Sequence, residues 1–217
     1  MEKILEIKKA LGCATLWLES GDKLRIPVAL LREHPVRVGQ AIEPQLLKEL
    51  VIRRGYPHAM DSAVRLLSLR SRSEGEIRTH LSRAGYPAVC IQRVIERLYA
   101  EGLLDDEAFA RDWAQSRSHR HGRIRLQREL TSRGVDRETA REAVSRLPDD
   151  EQLADAVRLT GRFLGRTRGD FDRKLYQRTL AMLARHGYDA DIARRALEII
   201  AKGEDVSEAP PQWSPRL

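Results

Sequence analysis

Leu81-Ser82-Arg83-Ala84-Gly85-Tyr86, Leu130-Thr131-Ser132-Arg133-Gly134-Val135 and Leu183-Ala184-Arg185-His186-Gly187-Tyr188 share one pattern, Leu-x-x-x-Gly followed by an apolar residue. Behind each glycine the apolar side chains recur at matched offsets: Ile91, Val94, Ile95 and Leu98; Ala140, Ala143, Val144 and Leu147; Ala193, Ala196, Leu197 and Ile200. Offsets of 6, 9, 10 and 13 from the glycine describe one face of a helix, i, i+3, i+4, i+7. The glycines stand 49 and 53 residues apart (134 less 85, 187 less 134), a spacing that predicts an array of helical units. No matched position carries a reactive group, so the pattern predicts a scaffold for binding rather than an active site.

Each unit reads as three helices. In the first, Ala63, Leu66 and Leu67 make the opening stripe, with Leu69 at its edge, and Ser73-Glu74-Gly75-Glu76 forms a capping box. There the serine hydroxyl takes an orphan amide and the glutamate reaches back. The second helix carries Ile77 and Leu81 and ends at Gly85, a residue suited to a left-handed C-terminal position. A turn or cap residue (Pro87, Asp136 or Asp189) then starts the third. The expected organisation is mainly α: three tandem three-helix repeats in an elongated curved array over residues 59–104, 105–148 and 149–203. A β-strand-plus-helix module over 1–58 precedes them, and a disordered tail over 204–217, with Trp213, follows.

In the N-terminal module, residues 4–7, 14–18 and 23–28 read as strands, with Glu19-Ser20-Gly21-Asp22 as a hairpin turn. Leu16 and Leu18 are expected to face Leu24, Ile26 and Val28 across the ladder. Glu43-Pro44 opens a helix whose stripe is Leu46, Leu47, Leu50 and Val51, and Arg53-Arg54-Gly55 is expected to end it. The two cysteines, Cys13 and Cys90, have neither a CxxC nor a zinc spacing and read as buried thiols of a cytosolic protein. No stretch reaches the roughly eighteen apolar residues of a membrane span.

Candidate sites for chemistry fare poorly. Asp105-Asp106-Glu107 and Asp149-Asp150-Glu151 occupy equivalent places before an opening helix, where acids cap free amides and oppose the dipole. His119 and His121 could share a metal, but Arg120 and Arg123 beside them repel a cation. No nucleophile elbow, phosphate-binding glycine loop or HExxH occurs. The expectation is a non-enzymatic protein without cofactor or metal.

The net charge is +7. Lys plus Arg against Asp plus Glu run 10 to 7 in residues 1–60, 7 to 5 in 61–104, 10 to 8 in 105–148, 11 to 9 in 149–203 and 1 to 3 beyond. Every folded segment is mildly basic, so no single arm accounts for the total. Arginines gather between the first and second helices of each unit: Arg70, Arg72 and Arg78; Arg117, Arg120, Arg123, Arg125 and Arg128; Arg162, Arg166, Arg168, Arg173, Lys174 and Arg178. Stacked repeats would bring such junctions into a discontinuous basic track. Arginine suits bidentate contact with phosphate or carboxylate.

Ala63-x-x-Leu66-Leu67-x-x-Arg70-x-Arg72-Ser73-x-x-Glu76-Ile77-x-x-x-Leu81, with Gly85, Ile91, Val94 and Ile95 after it, resembles the RecX family of bacterial regulators of the RecA recombinase. So does Gly102-Leu103-Leu104-Asp105-Asp106-x-x-Phe109-Ala110-x-x-Trp113, with Gly122 and Glu129-Leu130-x-x-x-Gly134 following. The resemblance spans roughly residues 60–200, and the segment from Thr160 to Arg173 departs from it by being long and glycine-rich. It implies three three-helix units and a monomeric cytoplasmic regulator that lies in the groove of the RecA–DNA filament and limits its activities. Any DNA binding of its own would be weak and without sequence preference. Arg70, Arg72, Arg117, Arg123, Arg125, Arg128, Arg166 and Arg168 are the expected contacts; the motif carries the first two, and the basic track the rest. Arg72 has a structural alternative, an i,i+4 bond to Glu76. The rival functions are a helix-turn-helix DNA-binding regulator, a magnesium-dependent nuclease using the acidic clusters, and a plain helical-repeat scaffold.

Overall fold

The computed structural model describes residues 1–167 and 172–202; Arg168 and the expected disordered tail lie outside the described residues. The chain is mainly helical, three tandem three-helix units behind a small N-terminal sheet. It divides into two compact units, Met1–Phe109 and Ala110–Leu217.

In the first unit, strands β1 (Glu2–Ala10), β2 (Cys13–Leu18), β3 (Lys23–Pro27) and β4 (Ala41–Ile42) form an antiparallel sheet in the order β3-β2-β1-β4. Register pairs Leu16 with Leu24 and Ala14 with Ile26. The inner face buries Ile4, Leu16, Leu18, Leu24 and Ile26 against Leu30, Ile42 and Val51. Val28, expected on the ladder, instead starts the short helix α1 (Val28–Glu33), which turns the chain after Pro27.

The larger correction is helix α2, Pro44–Leu67, which runs without a break through the expected stop at Gly55 and through Pro57. Residues 58 and 59 both lie inside it. Gly55 is an interior helical residue, not a left-handed end. A Cβ there would stand 3.4 Å from the Tyr86 ring and 3.7 Å from Cys90 Sγ. Leu46, expected in the apolar stripe, is 58% exposed. Helices α3 (Glu74–Arg83) and α4 (Ala88–Ala100) complete this unit's helical core around Ile77, Leu81, Ile91, Val94 and Leu98.

Helix α5 (Asp106–Arg117) leads into the second unit, which holds α6 (Arg123–Ser132), α7 (Arg137–Ser145), α8 (Asp149–Gly165), α9 (Arg173–His186) and α10 (Ala190–Lys202). Ala156, Val157, Met182, Leu183, Ile192, Ala193 and Ala196 form the core of its last three helices. Among the described residues no helix is long and apolar enough to cross a membrane.

The repeated hexapeptide is one helix terminus used three times. Tyr86, Val135 and Tyr188 donate their N–H groups to the carbonyls of Leu81, Leu130 and Leu183 at 3.1, 3.2 and 3.2 Å. Gly85, Gly134 and Gly187 have φ of 89°, 81° and 88°. A six-to-one bond over a left-handed glycine is the Schellman terminus, and it favours an apolar contact between its two ends. All six end residues are buried, the three leucines completely.

Candidate basic interface

The arginines singled out by sequence fall into two groups. Arg70 makes two hydrogen bonds to the Glu76 carboxylate, at 3.0 and 3.1 Å, and a third to the Ser71 carbonyl. Arg72 stands 3.9 Å from the same carboxylate, the i,i+4 approach its spacing allows. Ser73 caps α3 as expected, its hydroxyl accepting from the Glu76 N–H at 3.2 Å. Arg123 reaches from the start of α6 to the Leu147 carbonyl and to the Asp149 carboxylate at the start of α8, leaving its side chain 25% exposed. These three arginines are engaged by their own chain.

Arg117 and Arg125 are half-buried, and Arg128 and Arg166 are exposed. Arg128 and Arg166 have no carboxylate partner among the described residues. Arg117 stacks on the Trp113 ring, its guanidinium carbon 3.5 Å from the centroid. Arg133, at the end of α6, stacks on the same ring at 3.7 Å. One indole from α5 is therefore held between two guanidiniums, one from each helix. Arg125 donates to Glu129 at 3.1 Å. Burial alone would raise the Glu129 carboxyl, but the Arg125 bond and the charge of neighbouring groups bring it below the ordinary range. Arg117 and Trp113 are an i,i+4 pair visible in the sequence. Arg133 carries no such signal, because it meets the ring only when α6 folds onto α5.

His121 and His186 stack with ring centroids 6.3 Å apart. Their neighbouring glycines bring two helix ends together: Gly122 N–H donates to the His186 carbonyl at 2.9 Å and Ile124 N–H to the Gly187 carbonyl at 3.0 Å. Burial, then the positive Arg125, push the His121 imidazole below its ordinary value. His119 pairs with the buried Asp155 carboxylate at 3.3 Å.

The acidic clusters act at helix starts, though not identically. Asp105 Oδ1 accepts from Ala108 N–H at 2.8 Å, and Asp106 Oδ1 from Glu74 N–H at 2.7 Å. Burial raises the Asp106 carboxyl despite that bond. Asp149, expected as a cap, lies inside the first turn of α8 behind Pro148 and pairs with Arg123. Among the described residues no three His, Cys, Asp or Glu converge as a metal site.

Residues 59–98, 105–144 and 149–197 match three family models, described as the first, second and third three-helix domains of RecX. Relatives called regulatory protein RecX include that of Bacillus velezensis, 29% identical over 90% of this chain and 75% of its own. That of Thermobifida fusca is 35% identical over 72% of this chain and 87% of its own. That of Mycobacterium ulcerans is 38% identical over 60% and 77%. The fold matches a crystal structure of regulatory protein RecX with TM-score 0.63 over 91% of this chain and 100% of the other, at 18% identity. It also matches that of RecX from Lactobacillus salivarius with TM-score 0.64 over 68% and 97%, at 19% identity. Three matched domains that together take in more than half of the chain carry the conclusion: this protein belongs to the RecX family of regulatory proteins.

Proposed function

We propose that the chain is a non-enzymatic regulator of homologous recombination and DNA repair that binds in the groove of the RecA–DNA filament and restrains the recombinase. The observation that carries this reading is the cationic surface of the second repeat, where Arg117 and Arg133 lie flat on Trp113 and Arg125 and Arg128 follow along α6. A guanidinium held against an indole has already lost much of its side-chain freedom, so less remains to be lost on meeting phosphate or carboxylate. A nucleoprotein filament presents both anions. The family's regulatory role supplies the context. In this reading the protein works as a cytoplasmic monomer, needs no cofactor, and touches DNA weakly and without sequence preference.

A helix-turn-helix regulator would need free polar side chains on a recognition helix. On α4 two of them are occupied by polar partners: Arg97 pairs with Glu101 at 2.6 Å, and Gln92 bonds Arg78 at 2.6 Å and Glu96 at 2.9 Å. The test is single-stranded-DNA-dependent ATP hydrolysis by a RecA recombinase, titrated with this protein. Suppression at substoichiometric ratios is expected; hydrolysis unchanged up to equimolar protein would reject the reading.

A further inference from the structure

The N-terminal sheet has a second face that its core does not use. Strand register sets Trp17 between Glu6 and Lys23, and Thr15 between Lys8 and Arg25. These residues are exposed or half-buried, while their sequence neighbours Leu16, Leu18, Leu24 and Ile26 are buried on the other side. The turn after α3 covers one end of the face, where Gly85 approaches Cys13 Sγ and the backbone of Ile26 and Pro27. Arg25 reaches toward that turn and donates to the Arg83 carbonyl at 2.7 Å. Beyond it the Lys8 ammonium stands 4.8 Å from the Trp17 ring centroid and that of Lys23 5.7 Å, with Glu6 3.2 Å from Lys8. One aromatic ring on a central strand is thus flanked by two ammonium groups, one of them paired with a carboxylate, and the Arg25 guanidinium lies farther along the same face.

We propose that this face is a single-stranded nucleic-acid platform: a base stacks on Trp17, and Lys8, Lys23 and Arg25 hold the phosphates on either side. Three points favour this occupant. The charge is complementary to a phosphodiester chain. An aromatic ring standing out from an antiparallel sheet is a sequence-tolerant stacking surface, because every base has a π-face. The neighbours that strand register and ring contacts place beside Trp17, Lys8, Lys23, Glu6 and Thr15, are charged or polar, unlike the water-excluding apolar surround of a protein hot spot. Flexible lysine stems let both ammonium groups leave the ring for the adjoining phosphates when a base arrives. A duplex, whose bases are already stacked, offers no such partner. The proposal requires neither the recombinase nor the second-repeat arginines, and so goes beyond the reading above.

The test uses the full chain without recombinase, titrated with labelled oligo(dT) and followed by anisotropy. Trp17→Ala should weaken binding about tenfold, whereas Trp17→Phe should keep most of it. Lys23→Glu should weaken binding and flatten the log–log salt dependence by about 0.7 for each phosphate no longer neutralised. In a chain with Trp113→Phe and Trp213→Phe, Trp17 is the sole remaining indole of three, and oligo(dT) should quench its emission. That readout covers the case in which the alanine variant fails to fold. Absence of oligonucleotide binding by the native chain overturns the proposal, as does binding that leaves Trp17 emission unmoved or Trp17→Ala unaffected. If Trp17→Ala binds oligo(dT) normally but restrains the recombinase poorly, the face docks a protein and the proposal is also overturned. A native chain that binds oligo(dT) through Trp17 but does not restrain the recombinase would count against the regulatory reading alone.

Discussion

Arg70 holds the carboxylate of Glu76 through two hydrogen bonds, at 3.0 and 3.1 Å, across the first turn of α3. Arg72 approaches the same group from 3.9 Å, Ser73 caps the turn, and Asp106 takes the Glu74 amide at 2.7 Å. The Arg-x-Arg-Ser-x-x-Glu motif therefore has a sufficient structural reason: it assembles one helix start. Glu76, with a side chain 15% exposed, is the hub. Glu76→Ala should cost about 2 kcal/mol, because two guanidiniums lose their acceptor at once. Arg70→Ala, at a half-exposed cation, should cost about 1 kcal/mol or less. Urea midpoints measure both; an equal or reversed order would show that Glu76 is not the hub.

Gly122 and Gly187 meet backbone to backbone. A Cβ on Gly122 would lie 2.3 Å from the Gly187 carbonyl carbon and oxygen, and one on Gly187 would lie 2.3 Å from Arg125 Cβ. Neither neighbour can yield without separating α6 from α9. Gly122→Ala is expected to cost about 3 kcal/mol or more, as overpacking against fixed atoms does. Gly161 is the control: it lies within α8, and its added Cβ would meet only Ile200 Cδ1 at 3.9 Å. Gly161→Ala should instead stabilise the chain by about 0.5–1 kcal/mol through helix propensity.

Two imidazoles resist protonation in the folded chain. His121 is depressed by burial and then by Arg125, with Glu129 opposing and His186 and Arg117 adding to the effect. His80 is depressed by burial and then by Arg72. Both start from an ordinary value of 6.5, so above it neither form binds the proton and stability is unaffected. As pH falls below 6.5 the unfolded chain takes the proton first, and stability is progressively lost. Urea midpoints between pH 8 and about 5 should be level and then decline. His121→Phe, which keeps a ring against His186, should make that decline shallower; an unchanged slope would remove His121 as a cause.

Most of the architecture was legible because its signals are local. The Leu-x-x-x-Gly pattern marks a helix end through backbone requirements of six adjacent residues, and the face running from Ile91 to Leu98 needs only helical period. Gly55 reads locally as a helix end, but the tertiary packing of α2, in which Ala59 and Ala63 join the core with Ile77, Leu81 and Val94, carries the helix through it. The candidate surface was only half legible. Charge and spacing distinguish an arginine from its neighbours but not a free guanidinium from one already engaged. The partners of Arg123, the Leu147 carbonyl and Asp149, lie more than twenty residues on. The second face of the Trp113 clamp arrives with Arg133, from another helix.

That distinction decides how the basic surface is to be tested. Arg123→Ala frees Asp149 and the Leu147 carbonyl, so it should lower stability by about 1–2 kcal/mol, and any effect on recombinase activity would be confounded. Arg125→Ala with Arg128→Ala removes one exposed cation and one held only by an i,i+4 pair, expected to cost the fold about 0.5 kcal/mol. In the proposed function this double variant should still restrain the recombinase, but require severalfold more protein. Adding Arg117→Ala and Arg133→Ala removes the clamp and should raise that requirement further. The Trp113 ring should then stay packed, reported by an unchanged thermal transition. If the fourfold variant folds and restrains ATP hydrolysis at the native ratio, the second repeat is not the interface.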